Sequence, residues 1–534
     1  MMQKTGVSRR SLLGAAVLAL PPLRPSWGQT AQSLPSQLLR VAVAAPATTL
    51  DPHLSNNGPN NALAMHIFDS LIFNDEKSIS QPCLAASWRT LDDTHWAFTL
   101  RPGVVFSDGS PFGFNDVKAS FDRINGLATT ASFRTYARTV KSVLPGASPD
   151  TLIIETHTPD PLLLNSLSRI RIISAHFKDA ESADFDAGKA AIGTGPFTVT
   201  KYSSGSRTLL ARNDKYWGKP SEWEQADLHI ISEPGPRVAA LLSGDVDIIE
   251  SLPAESLDRI KADRKLHVIS GLSSRMTFMG FDFGHEVTPF ATDHSGKVLP
   301  KNPFLDLRVR QAVNYAINRQ AIVDRVMDGQ ATIAAQYLPP GSPGTSTTLK
   351  PAPYDPAKAK ALLAEAGYKD GFNLTIHGPN GRYINDSRII QAIAQMLTRV
   401  GIASTVEIQP WSVYATRCGN NEYSFFLGSF GINTGETSNA IVSGNATRDV
   451  KLGMGTNNFG RYSNPKLDSI LRQALPILDD GKRNALLAQA SDIVFEDCAI
   501  LPLHFESQTL AAKLGINYAT RADQYTLAMA VSRA

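Results

Sequence analysis

The chain has 534 residues, 43% of them apolar and 19% charged, with a formal net charge of +3. That is several times a single core of roughly 150 residues, so two or three lobes are expected. The apolar share excludes a disordered chain, and 38 Gly and 33 Pro spread without period exclude collagen-like and low-complexity architectures. No run of about 20 apolar residues interrupts the body of the chain, which argues against a membrane-spanning segment there.

The basic excess comes from the first residues. Lys4, Arg9, Arg10 and Arg24 stand in residues 1–28 with no acid among them. Ser8-Arg9-Arg10-Ser11-Leu12-Leu13 places a twin-arginine pair before the apolar stretch Leu12 to Leu20. Pro21 and Pro22 break that stretch, and Ser26-Trp27-Gly28 offers a small-x-small cleavage site. The pattern predicts an export signal over 1–28, too short for an anchor. Without its four cations the net charge falls to −1, which removes any basic footprint for nucleic acid. Only three cysteines are present, Cys83, Cys418 and Cys498. They form no CxxC pair and lie far from the cleavage site, so a soluble periplasmic protein is expected, in which two of the three could pair.

The elements follow in chain order. Leu39 to Ala44 reads as a first strand, and Ala62 to Ile72 as an apolar helix after a turn-rich segment. Trp96, Phe98 and Leu100 alternate as a half-buried strand. Asn115-Asp116 is expected to cap a helix that carries Val117, Phe121 and Ile124 on one face. Leu152 to Glu155 is a short strand, and Phe197 and Val199 open a hairpin that turns near Gly205.

The second half is richer in helices. Asp306 starts one through Val309, Val313 and Ile317. Asp355-Pro356 is an N-cap with proline at the first helical position, and Gly367 ends that helix. Asn385-Asp386 caps a longer one with an Ile389, Ile390, Ile393, Leu397, Val400 stripe, stopped by Gly401. Val406 and Ile408 alternate as a strand, and Asn464-Pro465 and Asp479 to Asp497 supply two late helices. Helices alternating with strands predict an α/β fold, and no linker separates beads on a string.

Motifs for chemistry are absent. His285-Glu286-Val287-Thr288-Pro289 lacks the second histidine of a zinc helix, and Pro289 prevents that helix. Asp282-Phe283-Gly284 has no kinase partner motifs around it. Gly193-x-Gly195 lacks a third glycine, and Pro196 stands where a phosphate-cradling helix would begin. No G-x-S-x-G elbow occurs. No catalytic residue, metal or cofactor is therefore assigned, and an enzyme is not expected. What remains are glycine-rich turns carrying amides and aromatics: Asn56-Asn57-Gly58, Gly381-Arg382-Tyr383 and the run Phe430 to Glu436. Such residues suit a small-molecule site.

An ordered set of motifs then resembles a known family. Leu84-Ala85-Ala86-Ser87-Trp88 is followed by Trp96 to Gly109, which ends Arg101-Pro102-Gly103-Val104-Val105-Phe106-Ser107-Asp108-Gly109. Leu50-Asp51-Pro52-His53, Gly193-Thr194-Gly195-Pro196-Phe197, Tyr216-Trp217 and Gly244-Asp245-Val246-Asp247 belong to the same set. So do Asp306 to Ala312, Tyr354-Asp355-Pro356 and Arg461-Tyr462-Ser463-Asn464-Pro465. Together they resemble the family 5 extracellular solute-binding proteins, the peptide, oligopeptide and nickel-type binding components of ABC importers. The resemblance implies a two-lobed periplasmic-binding-protein clamshell of the large type. Lobe I would comprise 29–58, 193–274 and 503–534, and lobe II would comprise 275–502. A small domain, 59–192, would be inserted in the first lobe. It also implies a monomer without cofactor that passes a small-molecule or peptide ligand to a permease and its ATPase subunits.

In peptide-binding members an arginine binds the ligand carboxylate and an aspartate its amine. Arg382, followed by Tyr383, stands where that arginine is expected. The late loop departs from the pattern: Asn433 stands near the aspartate position, Phe430 replaces a tryptophan, and Glu436 could supply the charge from nearby. Asn56 and Asn57 sit where the first lobe touches ligand, and Trp411 lies near the cleft. The departure sets modified peptides, opine-like compounds, amino-sugar conjugates and other small anions beside ordinary peptides. A sensor or chaperone that binds proteins, and less readily a peptide hydrolase, remain alternative readings.

Overall fold

A computed structural model describes residues 37–127, 133–432, 434–449 and 451–534. The export-signal segment and Asn433 lie outside the described residues.

The architecture is mixed α/β. Among the described residues one sheet counts 12 strands. Leu38–Val43 lies parallel to Gln225–Ile230 on one side and to Ile248–Ile249 on the other. Outward from it Gln225–Ile230, Arg207–Arg212 and Phe197–Ser203 pair antiparallel, the last two as the expected hairpin. Gly205 sits at its turn with φ 77°, a conformation that a Cβ disfavours.

Two long strands, Leu266–Phe281 and Ile500–Lys513, pair antiparallel at the middle of the sheet. Ile248–Ile249 joins one end of the pair at Ala511 and Ala512. Phe425–Gly431 joins the other end along Arg275 to Phe281. Phe372–Asn380 and Ile402–Pro410 extend that side in parallel.

The same two strands therefore feed different cores. Leu510 and Ala512 pack with Leu39, Val41, Leu210 and Leu228. Met279, Phe281, Leu501 and Leu503 pack with Val309, Val313, Ile389, Ile393 and Leu397, the stripes expected of two of the helices. On the opposite face Met276, Phe278 and Phe505 meet Leu467, Leu471, Leu487 and Val494 from the two late helices. The ladder between the long strands shifts register between Leu272 and Met276, and again between Thr277 and Phe278. Such irregularities bend a strand and re-aim its side chains. The result is two lobes strung on one pair of strands.

A separate four-stranded sheet, Ala85–Thr90, His95–Leu100, Thr151–Thr156 and Val140–Pro145 in spatial order, has its own core, drawn from Leu71 to Ile172. Leu63, Ile67 and Phe68, and Ile173 to Ala191, pack instead with Leu39 and Val41.

Three expectations are corrected. The first helix runs Gly58–Ile67 and not to Ile72, which opens the strand Ile72–Asn74. The Gly195 N–H takes the Ile67 carbonyl at 2.9 Å, and a Cβ at Gly193 or Gly195 would clash with that same backbone. Tertiary capture thus ends the helix, and explains the Gly-Thr-Gly run. The helix Phe114–Gly126 is capped at Gly113, not at Asn115-Asp116. Asp116 acts from inside the first turn, accepting from the Gly113 N–H at 2.8 Å and the Ala175 N–H at 2.7 Å. Finally, no cysteine pairs: Cys83, Cys418 and Cys498 are buried free thiols. Cys418 packs with Tyr414 and Tyr423, whereas Cys498 belongs to the core of Met279 and Leu501.

Candidate binding cleft

A cavity of about 820 Å³ gathers residues from both lobes. Asn56, Asn57 and Tyr525 line one side, Arg382, Tyr383 and Arg388 the other, and Arg275, Glu506 and Gln508 of the two long strands also face it.

Helix capping builds the first wall. Asn57 caps Gly58–Ile67, its side-chain oxygen accepting from the Asn60 N–H at 3.1 Å. Asn61 of that helix donates to Asn56 at 2.9 Å and to the Tyr525 hydroxyl at 3.1 Å. Asn56 in turn donates to the Tyr136 hydroxyl at 3.3 Å. This amide–phenol chain fixes polar groups on the side of the helix that lines the cavity. Tyr525 is carried by a C-terminal strap that Arg521 anchors. Arg521 is buried, pairs with Asp523 at 2.8 Å and donates to the Asn74 carbonyl at 3.0 Å.

The opposite wall is a loop held by one carboxylate. Asp386, in the first turn of Asp386–Thr398, accepts from the backbone N–H groups of Gly381, Arg382 and Tyr383 at 3.3, 2.9 and 3.1 Å. Asn385 takes the left-handed conformation at φ 56° and donates to the Val326 carbonyl at 2.8 Å. The loop thereby presents the Arg382 guanidinium 5.0 Å from the Trp411 ring centroid and 5.7 Å from that of Tyr383. These are cation–π distances that aim the charge without neutralising it. Burial pushes the Tyr383 phenol up to about 12, so it enters any contact as a neutral hydroxyl.

Between the walls, Glu506 is 4% exposed, and burial raises its pKa. Arg275 Nε stands 3.7 Å from its carboxylate, beyond hydrogen-bond reach. Glu250, which accepts from the Ala44 N–H at 2.6 Å, is likewise shifted upward by burial. The set combines exposed guanidinium, buried carboxylate, amides and phenols, a constellation for holding a polar, charged small molecule. Among the described residues no group of three His, Cys, Asp or Glu side chains is placed to hold a metal ion.

Of the residues singled out in the sequence, Asn56, Asn57, Arg382 and Tyr383 meet at this cavity, with Trp411 behind Arg382. Phe430 and Glu436 are not among its lining residues. Phe430 stacks on Phe278 at 5.6 Å and meets Tyr337 edge-on at 5.8 Å. Glu436 is buried and takes two hydrogen bonds from Arg483, at 2.9 and 2.8 Å, with a third from the Ser438 hydroxyl. Ile432 and Gly435 of the same loop line a second, more apolar cavity of about 730 Å³, with Leu272, Leu338 and Tyr518. Arg275 and Glu506 escaped the sequence reading. Their signal was a charge inside an apolar strand, where ionised residues are rare unless paired or used.

Residues 80–450 match the bacterial extracellular solute-binding proteins, family 5. The chain belongs to that family. Its members are solute-binding components of ABC importers, and this protein is one of them. It is 27% identical over 475 residues to the glutathione-binding protein GsiB of Salmonella typhi, covering 87% of this chain and 88% of the relative. The Escherichia coli K12 protein of the same name is 26% identical over the same length. Among solved structures, HbpA2 from Haemophilus parasuis superposes with a TM-score of 0.80 at 22% identity, over 93% of this chain and 100% of that one. The unliganded open form of the murein tripeptide binding protein MppA gives 0.77 at 21% identity, over 93% and 98%. The two-lobed binding-protein fold is thereby established.

Proposed function

We propose that this protein captures a peptide or peptide-like solute in the 820 Å³ cleft, in the periplasm, and delivers it unaltered to an ABC permease and its ATPases. One observation carries the reading. Polar groups from the two walls, Asn56 and Asn57 on one and Arg382 and Tyr383 on the other, converge on a single cavity beside the strands that join the lobes. A ligand touching both walls favours the closed state by its differential affinity for it. Arg382 is assigned to the ligand's carboxylate, since a guanidinium offers that group two parallel donors. Asn433 and Glu436 stay as candidates from the late loop, although the saturated Glu436 carboxylate argues against a direct contact.

The jaws are taken as 29–58 with 193–274 and 503–534 on one side and 275–502 on the other. The insert is taken as 59–192; its middle, Leu71 to Ile172, has a core of its own, whereas both of its ends pack with Leu39 and Val41 of the first jaw. The register shifts at Leu272 to Phe278 supply the bend on which they move. The twin-arginine pair Arg9-Arg10 supports folded export, and among the described residues no helix is long and apolar enough to cross a membrane. The similarity to GsiB makes glutathione and tripeptides the first solutes to try. Melting temperature should rise with the right solute, and small-angle scattering should show compaction. A panel of peptides and glutathione that moved neither quantity would defeat the peptide assignment. Intact recovery of the solute by mass spectrometry checks that binding occurs without turnover.

A further inference from the structure

The late loop offers the cleft no acid that is not already committed, yet a carboxylate stands in the cleft on another element. Glu506 lies near the middle of Ile500–Lys513 and lines the cavity. Its backbone carbonyl accepts from the Ser273 hydroxyl at 2.8 Å, and this bond bridges the register shift between the two long strands. Ala331 pairs with Glu506 on its other side, so the backbone cannot swing away. The side chain is held far less completely. It takes a hydrogen bond from the Gln524 side chain, stands 3.7 Å from the Arg275 guanidinium, and feels the positive charge of Arg382 across the cavity. An ionised carboxylate offers about four acceptor sites. Glu506 therefore keeps unused capacity in a buried place, where an unneutralised charge is costly. Arg275 is equally underused: its side chain is 31% exposed and its near contact to Glu506 is not a hydrogen bond.

An acid and a base side by side, each only partly satisfied and both facing one cavity, have a complementary ligand. We propose that Glu506 and Arg275 receive a zwitterionic amino-acid head of the solute, its ammonium on Glu506 and the adjacent carboxylate on Arg275, leaving Arg382 for a second carboxylate. The proposal rests on the peptide-like reading above and narrows it to solutes with a free α-amino-acid end. An ordinary peptide N-terminus has an amide where that head has a carboxylate, and so satisfies only Glu506. A γ-linked glutamyl peptide satisfies both residues. Desolvation in the cleft strengthens each charged contact, and the pre-set spacing of two strand-borne side chains limits the entropy lost on binding.

The test is calorimetry on the full-length mature protein with three probes: glutathione, its N-acetyl derivative, and the α-linked isomer Glu-Cys-Gly. The wild type should bind glutathione at least 30-fold more tightly than either other probe. Glu506→Gln, which keeps the shape and removes the charge, should bring glutathione and N-acetylglutathione within about threefold of each other. Arg275→Gln should instead erase the preference for the γ-linked over the α-linked isomer. Equal binding of all three probes by the wild type would overturn the assignment while leaving the peptide-like reading intact. So would a Glu506→Gln protein that still discriminated. The wild-type comparison decides even if a variant misfolds. Binding of none of the three, nor of trialanine, would defeat the peptide-like reading and this assignment with it.

Discussion

Glu436 and Glu506 are equally buried, each 4% exposed, yet they stand in opposite states. Glu436, in the late loop, accepts two hydrogen bonds from Arg483 and one from Ser438. Glu506, on a strand joining the lobes, has a single side-chain donor in Gln524, its guanidinium neighbour at 3.7 Å and an open cavity in front of it. Burial alone does not separate an acid that holds the fold from one that can hold a ligand. The count of donors already engaged does, because only an unsatisfied carboxylate gains from a newcomer.

The comparison can be broken most sharply at Arg483. Arg483→Met leaves Glu436 buried and uncompensated, and is expected to lower stability by about 3–5 kcal/mol in chemical denaturation while leaving solute affinity unchanged in the surviving fold. A loss below about 1 kcal/mol would show that the late-loop pair is not structural. Next comes Arg382→Ala. Cation–π contacts with Trp411 and Tyr383 do not neutralise it, so its removal should weaken binding of an anionic solute by about 2 kcal/mol or more. Its melting temperature should stay close to that of the wild type. Unchanged calorimetric affinity would remove Arg382 from the site.

A smaller effect concerns pH. Burial holds His504 down at about 4, and its ring nitrogens have no hydrogen-bond partner in the structure. An unfolded histidine takes a proton below about 6.5, whereas native His504 does so only near 4. The unfolded state therefore gains as pH falls through that window, and stability declines by at most about 1.4 kcal/mol per pH unit for this group. His53 and His66, also held at about 4, act in the same direction. Asp69, raised by burial to about 6, acts in the opposite one. His504→Gln should flatten the profile between pH 6.5 and 4, and an unaltered slope would contradict the shift. The mildest change is Asn57→Ala, which removes a helix cap and should cost about 1 kcal/mol in thermal unfolding, with Asn57→Ser retaining most of it. A comparable loss for serine would mean that the amide's role lies elsewhere.

Much of the fold was legible along the chain because its causes are local. Asp306, Asp355, Asn464 and Asp479 each accept a first-turn N–H, and the turns they mark are the observed helix starts. Part of the candidate site was legible in another way: glycine turns and the family resemblance singled out Asn57 and Arg382, whereas the capping of the helix by Asn57 emerged only in the structure, since the helix starts at Gly58 and not at Ala62. The first helix ended early because Gly195, distant in sequence, takes its last carbonyl. Likewise Glu436 looked available because nothing nearby in sequence reveals Arg483 on a later helix.

Alternation, capping residues and the ordered motifs thus determined by themselves the α/β class, most element starts and the family, since each depends on neighbours a few residues away. Tertiary structure alone decided which acids are spent and which face the cleft. Arg275 and Glu506 come together only when two strands distant in sequence pair, and the shifts in that ladder set where their side chains point. Hydrogen-bond saturation belongs to the folded neighbourhood and not to the residue, so a sequence can place a carboxylate in the chain without showing whether anything else has already claimed it.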